Sequence, residues 1–329
     1  MMKISEQRHK NSSEGAGLAG PAPEGLLMRK GGSVGGTPGV ALLRWNYFFF
    51  RDAPPHVMSI FRIAFGSFLL LYWGLKWPHV PMIFSEQGIA MPLQTWLPLG
   101  LGTVPAVEVS WALFAVFFLV LLTLTLGILP RLSAALAFVF TLYYWNLSLH
   151  IFGTSFDQLF LLILLVLAFS STDAWLSPRM YFKRGSVFAW EPICILPQRL
   201  LALQITATYL GVGWQKIYLP SWQNGRILLQ GFTGRWATPV AYMVARVTPL
   251  WVYDVMTMIT VYFEFLIPFG LWIRHYRIRW FFFLGGAIFH TSIWIFLNIW
   301  WFMVLIPAYI LFFEPEEVEK CFRRFPPTS

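Results

Sequence analysis

The sequence predicts an all-α integral membrane protein, a polytopic bundle of about eight transmembrane helices. Three observations carry that prediction. Of the residues, 57% are hydrophobic and only 12% charged, where a soluble domain carries roughly a quarter of its residues as charges. The apolar residues gather into segments long enough to cross a hydrocarbon core of roughly 30 Å. Lysine and arginine, finally, are distributed unevenly between alternate connecting segments. Lys and Arg together outnumber Asp and Glu by 24 to 15, but no basic face on a soluble fold is discernible, so nucleic acid is not an expected partner.

Taken in order, residues 1–45 read as a disordered cytoplasmic tail: up to about Val40 the chain is rich in Gly, Ser and Pro, as in KGGSVGGTPG, and such a composition cannot offset its ordering entropy. The N-terminus is polar, so the first membrane helix, and not a cleaved signal, is the expected targeting element. Residues 46–314 form the transmembrane helical domain, with spans at 56–76, 107–129, 132–150, 156–172, 198–219, 251–273, 279–297 and 299–313. The last of these is short and the fifth is polar for a span. Met91 to Leu101, with Trp96 and Pro98, reads as an amphipathic stretch along the interface. Residues 315–329 read as a short cytoplasmic tail.

An even number of spans puts both termini on one side. On that side fall eighteen of the basic residues, against five on the other, with Arg62 inside the first span. Short cytoplasmic loops hold the excess of positive charge, so both termini are expected in the cytoplasm.

Ionisable groups at membrane depth cost at least a few kcal/mol by insertion scales and need a partner, a wet cavity or a function. Four stand out: Lys216, His290, Glu264 and Asp157. Lys216, His290 and Asp157 are expected in the extracytoplasmic half, with Glu264 deeper. Each has an ordinary structural explanation. Lys216 could snorkel to outer headgroups, His290 could bond a neighbouring helix, and Glu264 could be protonated or pair with Arg62 or an arginine after the sixth span. Asp157 could cap its helix. The functional alternative for Lys216 is a base, because apolar surroundings disfavour a charged amine. Gly211 and Gly213 could allow close helix contact. Cys194 and Cys321 show no metal-ligand spacing, and no metal is expected.

The pattern Tyr209-x3-Gly213-x2-Lys216, followed by Trp222 and Gly225, resembles a motif of the vitamin K-dependent gamma-glutamyl carboxylase and its relatives, the horizontally transferred transmembrane domain family. FRIAFGSFLLLYW with Arg62, FSEQGIAMP, LGILPRLSAALAFVFTLYYWNLSLH and FHTSIWIFLNIWWFM with His290 resemble further family segments in the same order. The resemblance implies that Lys216 is the base that drives oxygenation of reduced vitamin K or a related quinol, and that His290 places the oxygenated intermediate. Dioxygen and carbon dioxide would be co-substrates. Tyr209, Trp222 and Arg62, from the matched stretches, and Asp157 and Glu264 are the candidate substrate-binding residues. Family carboxylases carry a large extracytoplasmic domain after the last helix and a histidine near the place where this chain reads SFDQLF, so propeptide docking is not implied. The expected partners are the lipid bilayer, a quinol and a separate extracytoplasmic substrate-binding protein. The competing expectation is a non-enzymatic membrane scaffold or binding subunit.

Overall fold

A computed structural model describes residues 38–91, 103–152 and 155–323. Its helices, in chain order, are α1 (Pro38–Phe50), α2 (His56–Gly74), α3 (Val80–Phe84), α4 (Val107–Leu126), α5 (Pro130–Phe152), α6 (Ser155–Ala168), α7 (Pro178–Arg184) and α8 (Leu196–Tyr218). There follow α9 (Pro220–Gln223), α10 (Arg226–Thr233), α11 (Pro239–Val247), α12 (Leu250–Trp272), α13 (Tyr276–Leu297), α14 (Leu305–Ala308) and α15 (Pro315–Arg323). Tighter 3-10 turns flank α14 at Trp300–Val304 and Tyr309–Phe312. Two dipeptides, β1 (Asp52–Ala53) and β2 (Ile193–Cys194), pair antiparallel with Asp52 opposite Cys194, joining the entrances of α2 and α8. Residues Trp45–Ser329 form one compact unit; Met1–Arg44 form another, of which the described part is the first half of α1.

Among the described residues five helical stretches are long and apolar enough to cross a membrane: His56–Phe84, Val107–Leu126, Pro130–Leu149, Leu250–Trp272 and Tyr276–Leu297. The other three predicted segments are helical as well. Phe156–Ala168 and Trp300–Phe312 are apolar but shorter, and α8 is long but more polar. The architecture is that of a helical membrane protein.

The boundary between α4 and α5 shows how the sequence sets an element end. Val107 to Leu126 holds neither glycine nor proline, so nothing interrupts the helix. Gly127 then adopts φ 76°, a left-handed conformation, and its amide bonds back to the helix. Pro130 opens α5, where its missing N–H costs nothing.

Arg62 on α2 explains itself against this boundary. Its guanidinium is fully buried and donates from Nη1 to the carbonyls of Leu124 (3.0 Å) and Thr125 (2.6 Å), and from Nη2 to that of Leu176 (2.9 Å). The last carbonyls of a helix lack intrahelical partners and carry its negative dipole end, so a buried cation is held there by hydrogen bonds to backbone oxygens, with Asp173 adding a charge nearby. Beyond it the core of α2, α4 and α5 is aromatic, with Trp73 edge-on to Phe117 at 5.1 Å and Phe84 against Tyr144 at 4.7 Å.

The predicted end of the N-terminal tail at residue 45 lies beside the division between the two units, at Arg44 and Trp45, while α1 itself begins earlier, at Pro38, where the Gly-rich stretch gives way to the apolar run GVALLRWNYFFF. At the other end α15 is fixed to the bundle and not a free tail. Glu314, just before it, accepts from Arg51 (3.0 Å), Arg199 (2.8 Å) and Arg274 (2.9 Å), while Glu316 bonds Arg51 and Glu317 bonds Arg279 at 2.6 Å. Apart from Met91, the predicted interfacial stretch to Leu101 lies outside the described residues, as does most of the N-terminal tail.

Two predictions follow from these buried charges. Replacing Arg62 by Met leaves carbonyls at the end of α4 without their charged donor and is expected to cost about 3 kcal/mol, from the usual worth of charge-assisted bonds. Unfolding of the purified protein in detergent measures this. The Glu314 carboxyl, 18% exposed, is raised by burial but held net below the usual carboxylate range by Arg199, Arg274 and Arg51. A depressed folded value stabilises above the unfolded value, roughly 4.3, and is lost as pH falls through the folded one. The stability gap between wild type and Glu314→Gln is therefore expected to be full at neutral pH and to close on acidification below about pH 4. A gap independent of pH would contradict this.

Candidate functional site

Tyr209, Gly213 and Lys216 lie four and three residues apart on α8, so they share one helix face. That face meets α12. A side chain at Gly213 would come to 3.1 Å from the ring of Phe265, so glycine is what lets the two helices approach. Gly211, by contrast, faces open space.

The close approach brings the Lys216 ammonium onto Glu264 Oε2 as a hydrogen-bonded ion pair, with side chains 15% and 6% exposed. Trp222 of α9 covers the pair, its ring centroid 4.3 Å from Lys216 Nζ. About two turns earlier on α8, the Tyr209 hydroxyl lies 2.5 Å from His290 Nε2 of α13 and 2.6 Å from the Tyr309 hydroxyl. All three side chains are buried. His290 Nδ1 has no hydrogen-bond partner among the described residues, and its ring stacks on Phe302 at 6.0 Å. The ion pair and the hydroxyl–imidazole chain are joined through α8, whose one face carries both Lys216 and Tyr209.

A second group adjoins the first. Tyr72 donates to Asp157 Oδ1 at 3.1 Å, and Lys76 stands 4.1 Å from the Tyr72 ring and 4.0 Å from the Trp73 ring, within the field of Asp157. Trp300 packs on Tyr72 at 5.7 Å, and Phe302 lies between Phe156 at 4.3 Å and His290 at 6.0 Å. The Trp300–Val304 turn thus forms an aromatic partition between the two groups.

Of the residues singled out in the sequence, the structure brings Lys216, His290, Glu264, Tyr209 and Trp222 together. Asp157 belongs to the neighbouring group. Arg62 does not join either, because its Nη1 and Nη2 donate instead to the carbonyls of Leu124, Thr125 and Leu176. Two expectations about Glu264 are corrected. It lies level with Lys216, not deeper, because α8 ends two residues after Lys216 while α12 runs well past that level. Its partner is Lys216 and not an arginine. Lys216 is accordingly not a lone amine in apolar surroundings but one half of a pair.

Tyr309, Tyr72 and Lys76 were missed. Tyr309 is the one hydroxyl in LIPAYILFF, and Tyr72 and Lys76 are four residues apart across the end of α2, so a search for lone polar groups and for helix-face pairs would have found them. Among the described residues no cluster of His, Cys, Asp and Glu reaches the size of a metal site. A cavity of about 450 Å³ lies elsewhere, between α13 and α15. No protein-family model, curated protein or solved structure matches the chain.

Chemically the group holds a base and an acid already in contact, and a chain of hydroxyls and imidazole along which a proton can be passed. Because each buried charge compensates the other, removing either alone is expected to cost about 3 kcal/mol, and removing both together less than the sum. A double-mutant cycle of Lys216→Met and Glu264→Leu, read by unfolding in detergent, measures the coupling; strict additivity would mean the pair does not exist in the membrane protein.

Proposed function

We propose that the chain is a multi-pass membrane enzyme with about eight spans and both termini in the cytoplasm, resembling the membrane domain of vitamin K-dependent gamma-glutamyl carboxylase. It takes a proton from reduced vitamin K or a related lipid-soluble quinol at the extracytoplasmic side. The observation that carries this reading is the buried Lys216–Glu264 pair, joined through α8 to the His290–Tyr209–Tyr309 chain.

The residues fit such a substrate. The half-buried rings of Trp222 and Phe302 are flat apolar groups beside the pair and the imidazole, and His290 Nδ1 is a buried polar atom in want of a partner. In the proposed step the O–H bond of the quinol breaks, its proton passes to the Glu264 carboxylate, and the Lys216 ammonium stabilises the quinolate oxygen. Moving the acceptor from a lone lysine to the pair keeps the net charge of the site unchanged before and after substrate binding. When bound and oxygenated by dioxygen, the quinol would supply the strong base needed to form a carbanion that carbon dioxide traps. Support for the orientation comes from the arginines. Arg51, Arg199, Arg274 and Arg279 gather at the opposite end of α8 from Lys216, as the asymmetry of basic residues requires.

A second reading, a non-enzymatic scaffold or binding subunit that recruits a separate extracytoplasmic protein, draws on the same pair, since it also ties α8 to α12. The two separate on turnover. With purified protein in nanodiscs, reduced vitamin K, oxygen and labelled bicarbonate, the enzyme reading expects epoxide formation that falls at least about 100-fold in Lys216→Met and Glu264→Gln. Equal epoxide formation by wild type and variants, or none by either, removes the catalytic reading; a crosslinked extracytoplasmic partner would then support the scaffold.

A further inference from the structure

The cavity of about 450 Å³ lies at the opposite end of the bundle from Lys216 and is not used by the proposed reaction. Its volume is within the roughly 300–1,000 Å³ of ordinary ligand sites. The walls are apolar, with Ile60, Trp280, Phe283, Ile306, Ile310 and Val318 among them. Arg274 and Arg279 also line it, and Glu317 is the acidic residue of the lining.

Charge decides what such a cavity takes. Glu317 is already bonded to Arg279, whose guanidinium is further fixed by the Ile273 carbonyl at 3.1 Å and lies 5.0 Å from the Phe313 ring. Glu314 is shared by Arg51, Arg199 and Arg274. Among the residues that line the cavity, two guanidinium groups, Arg274 and Arg279, stand against the one carboxylate of Glu317. Arg274 uses one nitrogen on Glu314 and its side chain remains 74% exposed, free to turn a second edge toward an anion. The surplus is therefore positive, at the mouth of a greasy slot.

We infer that this cavity binds an anionic phospholipid, with the phosphate at Arg274 and Arg279 and an acyl chain along Trp280, Phe283 and Ile310. The Lys and Arg count assigns this end to the cytoplasmic leaflet, where anionic headgroups are concentrated. The slot is amphipathic in the same sense as the lipid: cationic at the rim, apolar within. A zwitterionic lipid offers the same chain but brings its own cation to the arginines. The inference needs the orientation of the bundle but nothing of its chemistry, and it survives if no turnover is found.

Cys321 lines the cavity and provides the probe. In a Cys194→Ser background the full-length protein in detergent is labelled with a maleimide after addition of phosphatidylglycerol, phosphatidylcholine or inorganic phosphate, and lipid retention is read in parallel by native mass spectrometry. Phosphatidylglycerol is expected to slow labelling of Cys321 and to be retained, phosphatidylcholine much less so. Arg274→Gln, a change at an exposed side chain, is expected to weaken phosphatidylglycerol about five-fold, the worth of one basic residue near a membrane surface. Equal retention of the two lipids, an unchanged affinity in Arg274→Gln, or an unprotected Cys321 would each overturn the inference. Protection by inorganic phosphate equal to that by phosphatidylglycerol would overturn the lipid as the ligand.

Discussion

A charge inside an apolar bundle must be compensated within the protein, by an opposite charge or by backbone dipoles, and in this chain the rest of the candidate site depends on how Lys216 is. Its partner Glu264 is on a different helix, so the pair fixes the register of α8 against α12. That register places Gly213 where Phe265 passes and leaves α9 to fold back so that Trp222 covers the ammonium. Such a pair is a poor device for stability, because the cost of desolvating two ions rivals their attraction, and well-packed apolar residues of similar volume often do as well or better. Its presence is easier to explain by what it can do than by what it holds.

Comparison with the other buried cations sharpens the point. Arg62 is as deeply buried as any charge in the chain, yet its acceptors are backbone carbonyls, which do not titrate, and its own proton is not given up. Arg199 and Arg279 meet carboxylates, but again the cation is a guanidinium. At Lys216 a buried cation that can lose a proton is hydrogen-bonded to a carboxylate that can gain one. The neighbouring Tyr209, His290 and Tyr309 are also groups that both donate and accept, linked in series at 2.5 and 2.6 Å. The chemistry thus concentrates where every member of the network can exchange hydrogen.

Much of this was legible in the sequence, and what was not has a common cause. Apolar length located α2, α4, α5, α6, α8, α12 and α13, but not the short helices α3, α7 and α9 to α11 between them, and the spacing of Tyr209, Gly213 and Lys216 identified the face of α8 that carries the candidate site. Partnership was not legible, because it depends on how far one helix slides along another. Glu264 seemed too deep for Lys216 when both helices were given the same limits. In the structure α8 stops at Tyr218, and α9 to α11 intervene before α12 begins beyond that level. Tyr309 was hidden by its own surroundings, a single hydroxyl in an apolar run, and α15 by a composition polar enough to read as tail although its acids were matched to arginines far away in sequence.

The same helix also links the two ends of the molecule. At the start of α8, Gln198 donates to the carbonyls of Leu311 (2.9 Å) and Phe313 (2.8 Å), and Arg199 bonds Glu314. These contacts tie α8 to the segment that carries Tyr309, so the height at which Tyr209 meets Tyr309 is set from the arginine-rich end. A hydroxyl chain this short tolerates little misalignment, since hydrogen bonds weaken steeply with distance and angle. Anchoring the foot of the helix in a network of several charges, instead of leaving the tyrosines to find each other, is how the fold keeps the chain aligned.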